Sequence, residues 1–315
     1  MSDAPPVAAR GLVKKYGDLI AVDEVDLTVE PGDVFGYLGP NGAGKTTSLR
    51  MLLGLIRPTS GSAQLFGRDP LVDGAKALDG VAGFVEGPRF YPYLSGRRNL
   101  RLLADYDDPV SRSRIDDVLE LVELRDRAKD KVGGYSHGMR QRLGIAAALL
   151  REPRLLLLDE PTTGLDPAGM RDMRDLVRRL ASEGITIMLS SHLLYEVEEL
   201  CNRVAIVRKG RVIYEGQLRD LLATAATGYR LRALEQERAR LLVLAQQGIE
   251  DVRAVDGEIR FSGDEEAVAA LSVALGRAGI GFTALVPERE SLEELFLGMT
   301  GGESSDHDRS AEVAV

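Results

Sequence analysis

The stretch Gly39-Pro40-Asn41-Gly42-Ala43-Gly44-Lys45-Thr46-Thr47 decides the fold of this chain. It matches the pattern G-x-x-x-x-G-K-[ST], in which glycines allow backbone N–H groups to approach phosphate oxygens closely. A strand-like stretch at 33–38 precedes it, and the apolar spacing of 47–55 predicts a helix after it. Strand, loop and helix in this order favour a nucleotide site over a plain glycine-rich turn. We expect every residue of the stretch to line that site, with Lys45 at the β- and γ-phosphates and the Thr46 hydroxyl on Mg²⁺.

Length, composition and charge limit the possible classes of protein. The 315 residues are 44% hydrophobic, which suits a large domain and a smaller one. A net charge of −9 gives no general attraction to nucleic acid, so no nucleic-acid partner is expected. The single cysteine, Cys201, excludes an internal disulfide and is expected to be a small buried side chain. No apolar run reaches the ~18 residues of a membrane span, and the start lacks the apolar core of a signal peptide, so we expect a soluble intracellular protein.

The hydrophobic pattern predicts an α/β organisation for the first two thirds of the chain. Residues 1–6 are expected to be a loose tail, and 7–29 alternates as paired strands would, with a turn at 16–18. Helical spacing at 94–150 predicts an inserted helical region. The sheet resumes with the apolar run 155–158 and again at 186–190, as buried parallel strands do.

A second unit begins after about residue 227, and its pattern reads strand, helix, strand, strand, helix, strand. The predicted elements are the strands 229–233, 250–255, 258–262 and 282–286, the helices 235–247 and 264–278, and a turn at Asp256-Gly257. This order predicts a small ferredoxin-like α+β domain at 228–300, closed by a helix at 291–299. The polar, acidic stretch 301–315 is predicted to be a disordered tail.

Two carboxylates follow the apolar run at 155–158. Asp159 and Glu160 are thereby placed at the carboxyl end of a strand, which is where α/β sheets hold their ligands. Asp159 is expected to organise Mg²⁺, and Glu160 is expected to act as the general base that activates water. The alternative is that both acids only cap a following turn.

These motifs, in this order, make the chain resemble the nucleotide-binding subunit of an ABC transporter over roughly residues 7–220. The resemblance implies a P-loop NTPase core that carries an antiparallel β subdomain and an inserted helical subdomain. It also implies that Tyr16 stacks on adenine, with Val22 close behind it. Tyr16 could instead be an ordinary aromatic residue on a strand surface.

Further site residues follow from the same resemblance. Ser136 and Gly138, in Ser136-His137-Gly138-Met139-Arg140-Gln141, occupy the family's signature position and are expected to touch the γ-phosphate. His137 is interpreted as a spacer within that motif. Asp166, in Gly164-Leu165-Asp166-Pro167, resembles the loop that contacts a second subunit, and His192 resembles the family's switch histidine, although a satisfied polar residue is the alternative.

Glu86 stands where most relatives carry glutamine, in a loop that faces Mg²⁺ and the membrane partner. A carboxylate is a hard oxygen ligand, so Glu86 is a candidate metal ligand, and a surface glutamate is the alternative. Glutamate there makes the chain resemble the bacitracin and lantibiotic resistance exporters. The closing segment Ser291-Leu292-Glu293-Glu294-Leu295-Phe296-Leu297 resembles the end of drug-exporter ATPase subunits.

The resemblance implies an ATPase with Glu160, His192 and Lys45 as its catalytic residues and with ATP and Mg²⁺ bound. It further implies a homodimer with composite ATP sites that drives a separate transmembrane permease from the cytoplasmic face, exporting a drug, antibiotic or peptide. One alternative is an ABC-type ATPase that acts on ribosomes or nucleic acid. Another is a module that reports transport flux to a sensor.

Overall fold

The computed structural model describes residues 4–106, 109–223, 227–255, 257–289 and 292–300. The chain divides into two compact units, and the division falls between Leu218 and Arg219. Within the described residues, no helix is both long and apolar enough to cross a membrane.

The first unit is built on two sheets. Its strands are β1 (Val7–Tyr16), β2 (Leu19–Val29), β3 (Val34–Leu38), β4 (Ser60–Leu65), β5 (Val81–Phe84), β6 (Leu155–Asp159), β7 (Thr186–Ser191), β8 (Arg203–Arg208) and β9 (Arg211–Gln217). The larger sheet has the order β5-β6-β7-β3-β8-β9 and is parallel except for β9, which runs antiparallel to β8. All of β3, β6 and β7 is buried, which explains why the first four residues of β6, at 155–158, form an unbroken apolar run.

The smaller sheet is antiparallel, with the order β2-β1-β4. Tyr16 pairs with Leu19, so Gly17 and Asp18 form a two-residue turn between β1 and β2, where a turn was predicted at 16–18. Strand β4 pairs along the other edge of β1, from Val7 opposite Leu65 to Val13 opposite Ser60. One core cluster contains apolar side chains from both sheets, which fixes the antiparallel sheet to the parallel one.

The helices of the first unit cover the parallel sheet and build the inserted region. They are α1 (Lys45–Leu52), α2 (Gly96–Asp105), α3 (Pro109–Ser113), α4 (Ile115–Leu121), α5 (His137–Leu149), α6 (Pro167–Ser182) and α7 (Leu194–Leu200). Helix α5 begins at a serine cap, since the Ser136 hydroxyl accepts from Met139 N at 3.2 Å. Helix α6 begins at an aspartate cap, where Asp166 Oδ1 accepts from Gly169 N at 2.8 Å and Pro167 occupies the first turn.

The glycine-rich loop is held between β3 and α1. The buried Tyr37 hydroxyl lies 3.1 Å from Ser48 Oγ, which ties the strand before the loop to the helix after it. Burial raises the pKa of Tyr37 to about 12, so the phenol stays protonated in that bond. Gly44 has φ of 100°, and a Cβ there would collide with the Ala21 carbonyl oxygen, so glycine is required where the loop enters α1.

The second unit is a four-stranded sheet covered by helices. Helix α8 (Leu218–Ala223) lies at the division, followed by β10 (Thr227–Ala233), α9 (Gln236–Ala245), β11 (Ile249–Val255), β12 (Glu258–Gly263), α10 (Glu265–Arg277), β13 (Phe282–Arg289) and α11 (Leu292–Thr300). The sheet order is β11-β12-β10-β13, with all neighbours antiparallel. Its core includes Leu231, Ile259 and Leu271. This is the βαββαβ order and the strand arrangement of a ferredoxin-like fold.

The fold class predicted from the sequence is confirmed, with small differences at the ends of elements. The helix expected at 47–55 begins two residues earlier and ends at Leu52, because Gly54 takes a φ of 68°. The helix expected at 235–247 is shorter and spans Gln236–Ala245. Of the loose tail predicted at 1–6, Pro6 is buried and its carbonyl accepts a hydrogen bond from Phe66 N at 3.2 Å, so the prediction was wrong there. Residues 1–3, residue 256 of the predicted turn and the disordered tail predicted at 301–315 lie outside the described residues.

Candidate functional site

Lys45 lies at the centre of the first group of predicted site residues. Its ammonium group donates to the Gly39 carbonyl at 2.8 Å and to the Pro40 carbonyl at 3.3 Å. It also forms an ion pair with Glu160 Oε1 at 3.2 Å, although only 5% of the lysine is exposed. The loop, the lysine and the carboxylate therefore meet at one point, beside the positive φ glycines Gly42 and Gly44. A phosphate bound there would receive a point charge and backbone N–H groups together.

Asp159 lies next to Thr46, as expected for a shared ligand site. The Thr46 hydroxyl donates to Asp159 Oδ2 at 3.0 Å, and the buried Ser190 hydroxyl donates to Asp159 Oδ1 at 2.6 Å. Asp159 and Ser190 are direct partners in the parallel register of β6 and β7. The sheet thus sets the orientation of the carboxylate, while α1 brings the threonine to it.

Glu160 is held by three neighbours at the end of β6. The Thr163 hydroxyl donates to Glu160 Oε2 at 2.8 Å, and His192 Nδ1 lies 2.9 Å from the same oxygen. The backbone of Glu160 has a φ of 47°, in the left-handed region, which a residue other than glycine adopts only when its surroundings enforce it. Burial pushes the pKa of Glu160 upward, but the Thr163 hydrogen bond and the charges of Lys45 and His192 outweigh it, and the net pKa is lowered. The group is a carboxylate at neutral pH and can accept a proton from water.

Ser136, Gly138 and Asp166 form a second group, which lines a separate cavity of about 410 Å³. The cavity lies between the start of α5 and the start of α6, and both helix termini are capped by side chains as described above. A Cβ at Gly138 would lie 3.6 Å from Leu165 Cδ2, so the glycine packs directly against the facing loop. A Cβ at Gly164 would lie 3.6 Å from the ring of His137, the residue interpreted as a spacer in the motif.

A short loop connects the two groups of residues. It runs from Glu160 to Asp166, and its turns are closed by Thr163 N donating to Glu160 O and by Leu165 N donating to Thr162 O. One end of the loop therefore carries the carboxylate beside Lys45, and the other end lines the cavity of Ser136. A change in the conformation of this loop would therefore alter both the position of the Glu160 carboxylate and the shape of the cavity next to Ser136.

The Glu86 side chain is not directed at Thr46 and Asp159. Its carboxylate forms an ion pair with Arg50, and both side chains are substantially exposed. Only its backbone reaches the site, since Glu86 N donates to Asp159 Oδ2 at 3.3 Å with a φ of 63°. A role as a metal ligand would need the carboxylate to leave Arg50, and it stays a prediction.

The predicted adenine contacts differ in exposure. Tyr16 is about half exposed at the end of β1, with the Lys14 ammonium group 5.0 Å from its ring centroid. Val22 is buried, and its Cγ2 would lie 3.3 Å from a Cβ at Gly44. The Val22 side chain therefore packs against Gly44 of the phosphate loop, whereas the Tyr16 ring is partly exposed to solvent.

Sequence reasoning missed two residues that hold the site together. Ser190 orients Asp159 and also accepts, through its hydroxyl, the Glu160 N–H at 3.0 Å. Thr163 holds Glu160. The sequence signal for Ser190 is a serine at the end of the apolar run predicted to be a buried strand at 186–190, because a buried hydroxyl needs a hydrogen-bond partner.

The oxygen atoms of Thr46 and Asp159 suit a hard divalent cation such as Mg²⁺. Within the described residues, no cluster of three or more His, Cys, Asp or Glu side chains could hold a metal alone. The donor set therefore fits a cation that takes its remaining ligands from nucleotide phosphates and water.

Comparisons with known proteins agree with this geometry. A family model described as ABC transporter matches residues 22–163. The chain is similar to the bacitracin transport ATP-binding protein BcrA of Bacillus licheniformis, with 40% identity over 293 residues that cover 92% of this chain and 96% of the relative. It is also similar to the daunorubicin resistance ATP-binding protein DrrA3 of Streptomyces coeruleorubidus, with 38% identity over 307 residues that cover 94% and 96% of the two chains.

A solved structure of a dimeric ATP-binding cassette in a post-hydrolysis state, bound to ADP and Pi, has a TM-score of 0.60 and 25% identity. The match covers 67% of this chain and 98% of that chain. The chain belongs to the ABC transporter ATP-binding proteins. It is the ATPase subunit of a transporter: it binds ATP, and its hydrolysis of ATP powers transport. The predicted family and enzyme class are therefore confirmed.

Proposed function

We propose that the chain acts as a head-to-tail homodimer that powers a separate permease and exports an antibiotic or drug. The observation that carries the dimer is the separation of the site into two groups on one chain. Lys45, Thr46 and Glu160 surround one place, while Ser136 and Gly138 line another. A second copy in reversed orientation would bring its signature cavity, the one lined by Ser136, Gly138 and Asp166, over the phosphates. The similarity to a dimeric cassette supports the same arrangement.

In the proposed dimer, each ATP lies between Lys45 of one copy and Ser136 of the partner subunit. The N–H groups of His137 and Gly138, at the start of α5, have no acceptor within the helix, so they can bind phosphate oxygens. Lys45 would exchange its contact with Glu160 for the phosphate, which frees Glu160 to accept a proton from the attacking water. His192, 2.9 Å from Glu160, keeps that carboxylate in place. ATP binding then closes the dimer, and hydrolysis allows it to open.

Thr46 and Asp159 are the residues that would hold Mg²⁺ in this site. When bound, the cation supplies neutralisation of phosphate charge. The chain's own contribution is to fix the two oxygens. It does so through the 3.0 Å contact between them and through Ser190, which orients Asp159 from the neighbouring strand.

An exposed cleft next to Glu86 is the proposed docking place of the permease. It has a volume of about 510 Å³ and lies between the loop after β5 and the helices α2 and α5. Its walls include Phe84, Pro88, Phe90, Leu103 and Tyr106. Tyr106 is 90% exposed, so a large apolar ring faces solvent at the rim. Clustered exposed apolar side chains of this kind mark protein interaction sites.

The docking proposal is tested by co-purification of the tagged full chain from detergent-solubilised membranes. We expect the wild type to retain a polytopic membrane protein and Tyr106→Ala to lose most of it. Val72→Ala is the matched control, since Val72 is 81% exposed and lies outside the cleft. Equal recovery with Tyr106→Ala and wild type would count against this cleft.

The cargo proposal rests on relatives that are named for bacitracin transport and daunorubicin resistance. We expect deletion of the gene to increase growth inhibition by at least one compound of these two classes. Complementation with wild type should restore resistance, whereas Lys45→Ala should not. Unchanged susceptibility to both classes would separate this chain from its export relatives in cargo.

A further inference from the structure

A buried carboxyl on α7 contacts the loop between the two halves of the site. Glu196 is only 4% exposed, and its Oε2 accepts a hydrogen bond from the Thr162 hydroxyl. Thr162 is itself buried, at the second position after Glu160. The other carboxyl oxygen, Glu196 Oε1, is buried without a hydrogen-bond partner among the described residues.

Stability does not explain this arrangement. A carboxyl taken out of water with one oxygen unsatisfied costs free energy that one hydrogen bond from a hydroxyl does not restore. Burial accordingly raises the pKa of Glu196. The Thr162 hydrogen bond, the charges of Arg174 and His192 and the neighbouring Ser191 hydroxyl lower it, but they do not outweigh burial. Burial of the carboxyl therefore costs folding free energy, so its contact with Thr162 calls for an explanation.

The two segments that Glu196 joins are also joined at a second point. His192, four positions earlier, contacts Glu160, and Glu196 contacts Thr162. The two ends of the segment 192–196 therefore contact the two ends of Glu160-Pro161-Thr162. Beyond Thr162, the same loop closes through Leu165 N donating to Thr162 O and then lines the cavity of Ser136.

We propose that Glu196 is a positioning residue, which acts through Thr162 to hold Glu160 against His192 and to set the loop that lines the signature cavity. Its link to hydrolysis rests on the ATPase activity of the family. Its link to the cavity also rests on the proposed homodimer. The carboxyl is needed as a hydrogen-bond acceptor and not as a proton donor or as a charge.

The test uses purified full chain and compares Thr162→Val, Glu196→Ala and Glu196→Gln with wild type. Thr162→Val keeps the shape and removes only the donor, and Glu196→Gln keeps an acceptor oxygen. We expect kcat for ATP to fall between about tenfold and about 100-fold in Thr162→Val and in Glu196→Ala, as misplaced catalytic groups commonly cause. Binding of a non-hydrolysable ATP analogue should change less than about twofold, and Glu196→Gln should stay within about threefold of wild type.

Glu199→Ala is the matched control, since it lies on the same helix but contacts the exposed Arg178. Thermal unfolding of each variant identifies loss of fold, and Thr162→Val keeps the test valid if Glu196→Ala does not fold. The double variant Thr162→Val with Glu196→Ala should lose no more activity than the worse single variant. Wild-type kcat in Thr162→Val, additive losses in the double variant, or equal loss in Glu196→Gln and Glu196→Ala would each overturn the proposal. Failure of the homodimer would appear separately, as a lack of ATP-dependent dimers with normal sensitivity of turnover to Thr162→Val.

Discussion

Replacing Glu160 by glutamine should stop hydrolysis and leave nucleotide binding intact. The amide has nearly the same shape and can still accept the hydrogen bond from Thr163, which is 2.8 Å long in the wild type. It cannot accept a proton from water. A positioned general base contributes about 10²- to 10⁴-fold, so kcat should fall by that range, which corresponds to about 3 to 5 kcal/mol in the activation barrier.

The ion pair between Glu160 and Lys45 sets the expected effect on affinity. The 3.2 Å pair must break when Lys45 turns to a phosphate, because one ammonium group cannot serve both fully. Glutamine removes that competition and also removes a negative charge near the phosphates. ATP affinity should therefore be retained or improved, in contrast to the loss that a disrupted site would give.

Two measurements on Glu160→Gln decide the matter. Turnover is measured by phosphate release, and the oligomeric state is measured by size-exclusion chromatography with light scattering. With ATP, the mass should rise from 34.2 kDa to twice that value, because a dimer that cannot hydrolyse its bound ATP stays closed. Glu199→Gln, an exposed carboxylate away from the site, should behave as wild type in both assays. Wild-type turnover in Glu160→Gln would refute the assignment of the general base.

Lys45→Ala should abolish measurable ATP turnover and weaken ATP binding, as checked by phosphate release and nucleotide titration. Gly138→Leu, added to Glu160→Gln, should keep ATP binding but prevent the ATP-dependent dimer, since the leucine side chain would enter the cavity. A light-scattering mass that still doubles with ATP would contradict this. Glu86→Ala should shift thermal stability by less than about 1 kcal/mol, because its ion pair is exposed, and should change permease-stimulated turnover more than basal turnover. Gly144→Ala should leave ATP binding unchanged and reduce permease-stimulated turnover, because it displaces Pro88; equal stimulation in reconstituted vesicles would exclude that effect.

The parts of the fold that could be predicted are those whose pattern is local. The run 155–158 is apolar because both faces of β6 are buried, and the glycine-rich loop is defined by backbone geometry over a few residues. Strand β4 was not predicted, since Ser60–Leu65 has a weak apolar pattern and is ordered by pairing with β1. Tertiary contact, and not propensity, makes that strand.

The same distinction applies to the site. Lys45, Asp159 and Glu160 belong to short motifs, whereas the contacts that orient them join distant parts of the chain. Ser190 reaches Asp159 across 31 positions, and Glu196 reaches Thr162 across 34. No periodicity records such a pairing, because it depends on how β6 and β7 align in the sheet and on where α7 begins.

Helix α5 joins the cavity lined by Ser136 and Gly138 to the cleft next to Glu86. Its first turn carries Gly138 at the signature cavity, and two turns later a Cβ at Gly144 would lie only 2.6 Å from Pro88. The absence of a side chain at Gly144 lets the loop after Glu86 pack directly on the helix backbone, with Phe84 at 3.3 Å from the same position. Because Pro88 packs directly against α5, we expect a displacement of the first turn of α5 on closure of the proposed dimer to shift Pro88 as well. Because Pro88 and Phe84 form a wall of the cleft, the docking surface would change shape with the state of the nucleotide.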